Sequence, residues 1–238
     1  MSDFEKLINF LARENYGNLF TPLCGLIAIV TGFLFVQKNK VTIFFLIYLI
    51  IDFIFSLCDT YLQTFSSFSK YQIFIFITLT NTIISLAELL TYYYFFSKII
   101  KNKSILRVMK ILGFSFFLIT VLLETTRFAF LTPRLIYIAD VVGALEFLFL
   151  VPPSFVYFYE LLKNDPVVNL YQRPSFWIVT GILFYSVISI PYLLIDRFVY
   201  DNQYEHRYLL DLAFFYIPFS LNLIFLTRAF LCKKTLTI

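Results

Sequence analysis

Residues 41–62 read VTIFFLIYLIIDFIFSLCDTYL, and this stretch decides the fold class. A helix that crosses the hydrocarbon core of a bilayer needs about 20 predominantly apolar residues, which matches the length of this stretch. Asp52 and Asp59 are its only charged residues. Membrane β-strands are excluded, because they are segments of about 10 residues in which apolar and polar side chains alternate. The stretch therefore predicts a transmembrane α-helix.

Six further stretches are similarly long and apolar, so the sequence predicts an all-α, polytopic transmembrane bundle of seven helices. Of the 238 residues, 60% are hydrophobic and only 14% are charged. A soluble domain of this size would leave too much of that apolar surface in contact with water. The connecting loops are too short for a folded soluble domain. The predicted spans are 18–36, 41–62, 72–97, 109–131, 135–161, 174–196 and 207–231.

The chain is then one membrane domain, residues 18–231, with a short tail at each end. Within residues 1–17, apolar side chains recur at helical spacing from Phe4 to Leu11, so we expect a short helix on the outer membrane surface. No basic segment precedes an apolar core there, and we expect no cleavable signal peptide. Residues 232–238 are predicted to form a cytoplasmic tail.

The distribution of basic residues predicts the orientation of the chain. If the N-terminus is outside, 12 of the 19 Lys and Arg residues fall on the inner side and 7 on the outer side. The positive-inside rule then predicts an N-out, C-in protein. The cluster from Lys98 to Lys110 contributes most to this difference. We interpret it as a topology determinant that also contacts anionic lipid, and we expect no nucleic-acid partner. The predicted location is the cell's inner (plasma) membrane, with several passes.

Ionisable and amide side chains inside the predicted spans are the candidate functional residues, because such groups are costly in hydrocarbon. Four carboxylates and one arginine are predicted to lie near the outer ends of the spans. If they converge, their excess negative charge favours a small cation, an amine or shared protons in an outward-facing polar cavity. The alternative is that they lie at the headgroups or form structural pairs. The candidates are Asp52, Asp59, Asn81, Glu124, Arg127, Asp140, Glu146 and Asp211.

Position along the spans separates these candidates. Asp52 and Glu146 are predicted to lie about 16 Å from a span end, too deep for easy contact with water, so we expect both to face the interior of the bundle. Glu124 and Arg127 are three residues apart and can pair within one helix. Glu88 is predicted to lie toward the inner side. The run from Tyr92 to Phe96 is interpreted as part of an aromatic belt at the membrane interface.

Enzymatic chemistry has little support in the sequence. His206 is the only histidine and is predicted to lie in an outer loop, so the serines of the spans have no histidine base. Cys24, Cys58 and Cys232 are isolated, and no set of ligand residues has the spacing of a metal site. A retinal protein is disfavoured, because the last span has no lysine before Lys233. We therefore expect no catalytic residues, no metal and no cofactor.

Two short motifs resemble those of other membrane proteins. Residues 173–185 read RPSFWIVTGILFY, and they resemble the opening of a late span in uncharacterised bacterial seven-span proteins. They are also similar to the membrane regions of some bacterial sensor kinases. Glu88, followed by the aromatic run Tyr92–Phe96 and basic residues, resembles the third span of those proteins. The resemblance implies a sensor-like role and supplies no catalytic or ligand residues.

Three functions therefore remain open from the sequence. The first is a sensor- or receptor-like module that responds to a solute in its outward-facing cavity and signals through a cytoplasmic or membrane protein partner. The second is a small-solute or ion-coupled transporter that uses its buried carboxylates. The third is a structural subunit of a membrane complex. Ion-dependent uptake into liposomes distinguishes the second from the first, and co-purification of a stoichiometric partner favours the first or third.

Overall fold

The protein is an all-α bundle, as the sequence predicts. A computed structural model describes residues 17–35, 40–65, 70–130, 136–164, 170–201 and 207–232, and the two predicted tails lie almost entirely outside these ranges. The helices are α1 (Gly17–Phe35), α2 (Lys40–Phe65), α3 (Lys70–Ile99), α4 (Lys103–Phe130), α5 (Ile136–Asn164) and α6 (Pro174–Asp201). Helix α7 is built from α-helical Arg207–Asp211, a π-helical turn Leu212–Tyr216 and α-helical Ile217–Phe230.

Five of these helices, α2, α4, α5, α6 and α7, are long and apolar enough to cross a membrane. The described apolar part of α1, Thr21–Phe35, is shorter. The protein is therefore an integral membrane protein with several passes. Large apolar side chains on the outside of the bundle agree with this conclusion, because lipid rather than water can solvate them. They are concentrated on α4, where Ile111, Phe114 and Leu122 are all more than half exposed.

The helices form a closed ring. Helix α5 packs against α6, α6 against α7, and α7 against α1, which continues through α2 to α3. A contact between α3 and α5 closes the ring, and α4 packs against both of these helices from outside. Gly32 permits the close approach at the α1 corner, because an added Cβ would lie only 2.6 Å from Leu46 Cδ1 of α2 and 3.3 Å from Phe230 Cε2 of α7.

Helix starts follow local capping rather than the edge of the apolar stretch. The predicted span 109–131 begins six residues too late, since α4 begins at Lys103. The side-chain oxygen of Asn102 accepts hydrogen bonds from the backbone N–H groups of Ser104 and Ile105, at 3.0 and 3.4 Å. This is the pattern of an N-cap, which satisfies backbone donors that the first helical turn leaves free. The basic turn after Asn102 is therefore helical although it is not apolar.

Three large aromatic side chains that are fully buried pack together near the Lys98 end of α3. Phe45 of α2 packs edge-on against Phe95 of α3, with ring centroids 5.4 Å apart. Phe95 in turn contacts Phe96, and both are completely buried. The run from Tyr92 to Phe96 was predicted to be part of an aromatic belt at the membrane interface, but Tyr92, Phe95 and Phe96 are buried in the bundle. Only one side of the run, which includes Tyr94, is partly exposed.

Candidate functional site

Three carboxylates from three different helices lie close together in the interior of the bundle. Glu88 of α3 interacts electrostatically with Asp52 of α2 and with Glu146 of α5. Asp52 lies 12 residues from the start of α2 and Glu88 lies 11 residues from the end of α3, which corresponds to a depth of about 16–18 Å. Asp52 therefore lies near the middle of the α2 span and Glu88 at a similar depth in α3, where charge is costly and ionisable groups are candidates for function.

Tyrosine hydroxyls surround Glu88. Tyr48, one turn before Asp52 on α2, and Tyr92, one turn after Glu88 on α3, both hydrogen-bond with the Glu88 carboxyl group. Tyr92 also hydrogen-bonds with the Asn222 side chain of α7. Residues four apart share one face of a helix, so α2 and α3 each present a tyrosine and a carboxylate to the interior. The result is a hydrogen-bonded path from α2 through α3 to α7.

Glu146 is the most buried of the three carboxylates, with 4% of its surface exposed. The Ser85 hydroxyl of α3 donates a hydrogen bond to Glu146 Oε2. Glu146 Oε1 is buried and makes no hydrogen bond with the described residues. A buried polar atom without a partner costs about 1–3 kcal/mol. The second carboxylate oxygen is therefore the least satisfied polar atom of this group.

An aromatic wall completes the group on the side of α6. The Tyr185 ring packs edge-on against Phe147 of α5, with centroids 4.7 Å apart, and contacts Phe219 of α7 in a tilted arrangement at 5.3 Å. Tyr185 is buried and interacts electrostatically with all three carboxylates. We call the whole group the interior cluster. Its members are Tyr48, Asp52, Ser85, Glu88, Tyr92, Glu146, Tyr185 and Asn222, which come from five helices.

The interior cluster is strongly acidic. Among the side chains that the structure describes, no lysine or arginine interacts with Asp52, Glu88 or Glu146. The described residues also contain no group of three or more His, Cys, Asp or Glu side chains placed to hold a metal ion. Within the described part of the bundle, the neighbours of these carboxyl groups are thus hydroxyl groups and aromatic rings rather than positively charged side chains.

Asn222 connects the interior cluster to the ends of α6 and α7. An added Cβ on Gly181 of α6 would lie 2.5 Å from Asn222 Oδ1 and 3.1 Å from Phe225 Cβ, so glycine permits this contact between α6 and α7. One turn further, the Phe225 ring stacks on Trp177 at 5.9 Å, and the Arg228 guanidinium lies 5.8 Å from the Trp177 ring centre. The Trp177 Nε1–H group donates to the Tyr171 carbonyl oxygen at 2.9 Å.

The structure separates Asp211 from the other predicted site residues that it describes. Asp52 and Glu146 belong to the interior cluster, whereas Asp211 accepts a hydrogen bond from the Tyr192 hydroxyl where the Asp201 end of α6 meets the start of α7. The remaining predicted side chains lie outside the part of the structure that is described. They are Asp59, Asn81, Glu124, Arg127 and Asp140.

Several members of the interior cluster are not among the predicted site residues. Glu88 and Asn222 are recognisable in the sequence only as polar residues within spans. The sequence predicts a belt position for Tyr92 and no site role for Tyr48 or Tyr185. Spacing carried a signal for α2 and α3, because Tyr48 and Asp52, like Glu88 and Tyr92, lie four residues apart on one helix face.

Comparisons of the chain with protein-family models, curated proteins and solved structures found no match. The resemblance to bacterial seven-span proteins and to sensor-kinase membrane regions therefore stays a prediction from two short motifs.

Proposed function

We propose that this protein is a seven-span membrane sensor, N-out and C-in, that binds a small cationic solute at the interior cluster. The observation that carries the proposal is an acidic, tyrosine-rich cluster to which five helices contribute. A solute bound there contacts helices on several sides of the ring, so its binding energy can favour one arrangement of the bundle over another. That is the physical requirement for a receptor.

The contact between α6 and α7 provides a route by which such a change can leave the bundle. Asn222 belongs to the cluster and packs against Gly181, while Phe225, one turn later, stacks on Trp177. A movement of α7 at Asn222 thus changes the surroundings of Trp177 and Arg228 at the proposed cytoplasmic end. A cytoplasmic or membrane protein partner would read this change, and the basic segment Lys98–Lys110 is a suitable surface for it.

An ion-coupled transporter is the second candidate function, and one observation favours it. Glu88 interacts with a second carboxylate on each side, from α2 and from α5. Rows of carboxylates inside a membrane are the groups that pumps and transporters use to relay protons or cations. In that case the same cluster would pass its solute across the membrane rather than report its presence.

The single tryptophan of the chain makes the two functions distinguishable. The purified protein is reconstituted in liposomes, and Trp177 fluorescence is recorded while sodium, ammonium or ethylammonium chloride is added. A sensor gives a saturable change in emission without accumulation of the solute inside the liposomes. A Trp177→Phe protein shows whether the signal comes from this residue.

The comparison variant is Asp52→Asn and Glu88→Gln in one chain, which removes two charges and keeps the shape of both side chains. We expect it to lose the change in Trp177 emission. Solute accumulation that is driven by a proton or sodium gradient would instead establish the transporter. No response to any of the three salts, with no accumulation, would contradict both functions.

A further inference from the structure

Glu146 Oε1 is the atom of the interior cluster that the described hydrogen bonds leave unsatisfied. The other oxygen of the same carboxyl group accepts from Ser85, and the Glu88 carboxyl group has the hydroxyls of Tyr48 and Tyr92. Protonation of Glu146 would not give this atom a hydrogen-bond partner. A proton on Oε1 would be a donor, and the described residues offer no acceptor for it. The atom is suited to a donor that is not part of the described protein.

The surroundings of Glu146 define the charge and the shape of that donor. Glu88 is close enough to interact electrostatically with Glu146, so a donor that carries positive charge gains from both carboxyl groups. The next residue, Phe147, packs on Tyr185, which interacts with Glu146 as well. Aromatic rings next to carboxylates are the usual surroundings of organic ammonium groups, because ring faces attract cations.

A metal ion fits these surroundings less well. The described residues contain no set of three ligand side chains placed for one ion. Calcium and magnesium need six or more oxygen ligands at short distances, which converging carboxylates and carbonyl groups supply. Here tyrosine hydroxyls hydrogen-bond with Glu88, and the rings of Phe147 and Tyr185 pack against each other beside the carboxyl groups. An ammonium group needs fewer partners than these metal ions, and each of its N–H groups forms a directional hydrogen bond.

We propose that the interior cluster binds a protonated organic amine, one N–H of which donates to Glu146 Oε1. The inference rests on the proposed function, since it names the class of solute that the sensor binds. Tyr185 and Phe147 contact the carbon substituent of the amine, and Glu88 contributes to the stabilisation of its charge. A quaternary ammonium ion retains the charge and the contact with the rings but has no N–H to donate.

The test is equilibrium binding of radiolabelled ethylammonium to the full chain in lipid nanodiscs. Unlabelled ethylammonium, tetramethylammonium and sodium chloride serve as competitors at one pH and one ionic strength. We expect ethylammonium to compete at least about tenfold more strongly than tetramethylammonium, because a charge-assisted hydrogen bond distinguishes the two. We expect sodium to compete least. This comparison uses the unaltered protein and does not depend on the folding of any variant.

Glu146→Gln supplies the second arm, because the amide has the same shape but is neutral. It is expected to weaken ethylammonium binding by about tenfold or more, and to reduce the difference between the two ammonium ions. Glu160→Gln is the matched control on the same helix. Glu160 lies near the end of α5, where its Oε2 atom accepts from the Lys101 backbone N–H at 3.1 Å, and an amide oxygen can keep that bond. This variant should bind ethylammonium as the wild type does.

Three results would overturn the inference. They are equal competition by ethylammonium and tetramethylammonium, stronger competition by sodium, and unchanged ethylammonium binding in Glu146→Gln. In each case a salt-dependent change of Trp177 emission would still support a sensor of another cation. Conversely, Glu146-dependent binding of ethylammonium together with its accumulation in liposomes would retain the amine site and contradict the sensor.

Discussion

The Ser189 hydroxyl of α6 donates a hydrogen bond of 3.2 Å to the carbonyl oxygen of Phe214 in α7. In a regular α-helix this carbonyl would accept from the backbone nitrogen of residue 218, but that residue is a proline and has no N–H to donate. Helix α7 widens into the π-helical turn Leu212–Tyr216 at this point. Ser189 is completely buried, so a side chain of the neighbouring helix satisfies the oxygen that Pro218 leaves free.

Replacing Ser189 with alanine is expected to destabilise the protein by about 1–3 kcal/mol, because the Phe214 carbonyl loses its hydroxyl donor. Ser97→Ala is the control, since the Ser97 hydroxyl bonds to the Tyr94 carbonyl within its own helix and is not the only donor available there. We expect the control to change stability by no more than about 0.5 kcal/mol. Unfolding in mixed micelles measures both. Equal stability of the two variants would show that the hydrogen bond from Ser189 to the Phe214 carbonyl oxygen does not stabilise the protein.

Replacing Gly181 with alanine is expected to separate α6 from α7. The added Cβ would lie 2.5 Å from Asn222 Oδ1 and 3.1 Å from Phe225 Cβ, and the second atom cannot move without the backbone. Overpacking of this kind costs about 1–3 kcal/mol. Gly25→Ala is the control, because its Cβ would meet Phe53 and Leu223 at ordinary contact distances of 3.7 and 4.0 Å. Thermal unfolding and Trp177 emission should change in Gly181→Ala alone.

Replacing Tyr92 with phenylalanine removes the hydroxyl that bonds to both Glu88 and Asn222 and keeps the ring. We expect a loss of about 1–3 kcal/mol, since two polar partners inside the bundle lose a bond. Tyr94→Phe is the control, because Tyr94 is partly exposed and its contact with Lys98, 5.4 Å from the ring centre, involves the ring. If both variants unfold at the same temperature, the Tyr92 hydroxyl has no role in holding α3 to α7.

Reporter fusions test the orientation, which the helices by themselves leave open. A fusion within Asn102–Ser104, where α4 begins, and a fusion after Ile238 should both be cytoplasmic, because 12 of the 19 basic residues lie on that side in an N-out, C-in chain. Opposite locations for the two fusions would show that the number of crossings between them is odd rather than the predicted four. A periplasmic signal from both would reverse the orientation.

The helices were predictable because each contains a long, nearly continuous apolar stretch, which is a strong signal in a single sequence. Residues 41–62 were predicted as a span, and α2 extends from Lys40 to Phe65. The errors lie at helix ends, where polar caps rather than hydrophobicity determine the boundary. Asn102 is the clearest example, because its side chain begins α4 six residues before the predicted start.

The interior cluster was predictable only in part. The depth of Asp52 and Glu146 in their spans is a property of sequence and already marked both as candidates. Their common neighbour Glu88 depends on the packing of α3 between α2 and α5, which is a long-range property of the ring. The tyrosines were harder still, because a tyrosine at an interface and a tyrosine in a polar interior look the same in one sequence. Burial of Tyr92 distinguishes the two cases.

Because of the π-helical turn in α7, the rotation of one end of the helix relative to the other depends on a single residue. A π turn is equivalent to one residue inserted into an α-helix, and each residue turns the helix by about 100°. Deletion of one residue from Leu212–Tyr216 would let the helix run on as a regular one. It would also rotate Asp211, with its bond to Tyr192, by about 100° around the axis relative to Asn222. In evolutionary terms, the loss of one codon would unpair Asp211 at the start of α7 while leaving the half from Ile217 to Phe230 in place.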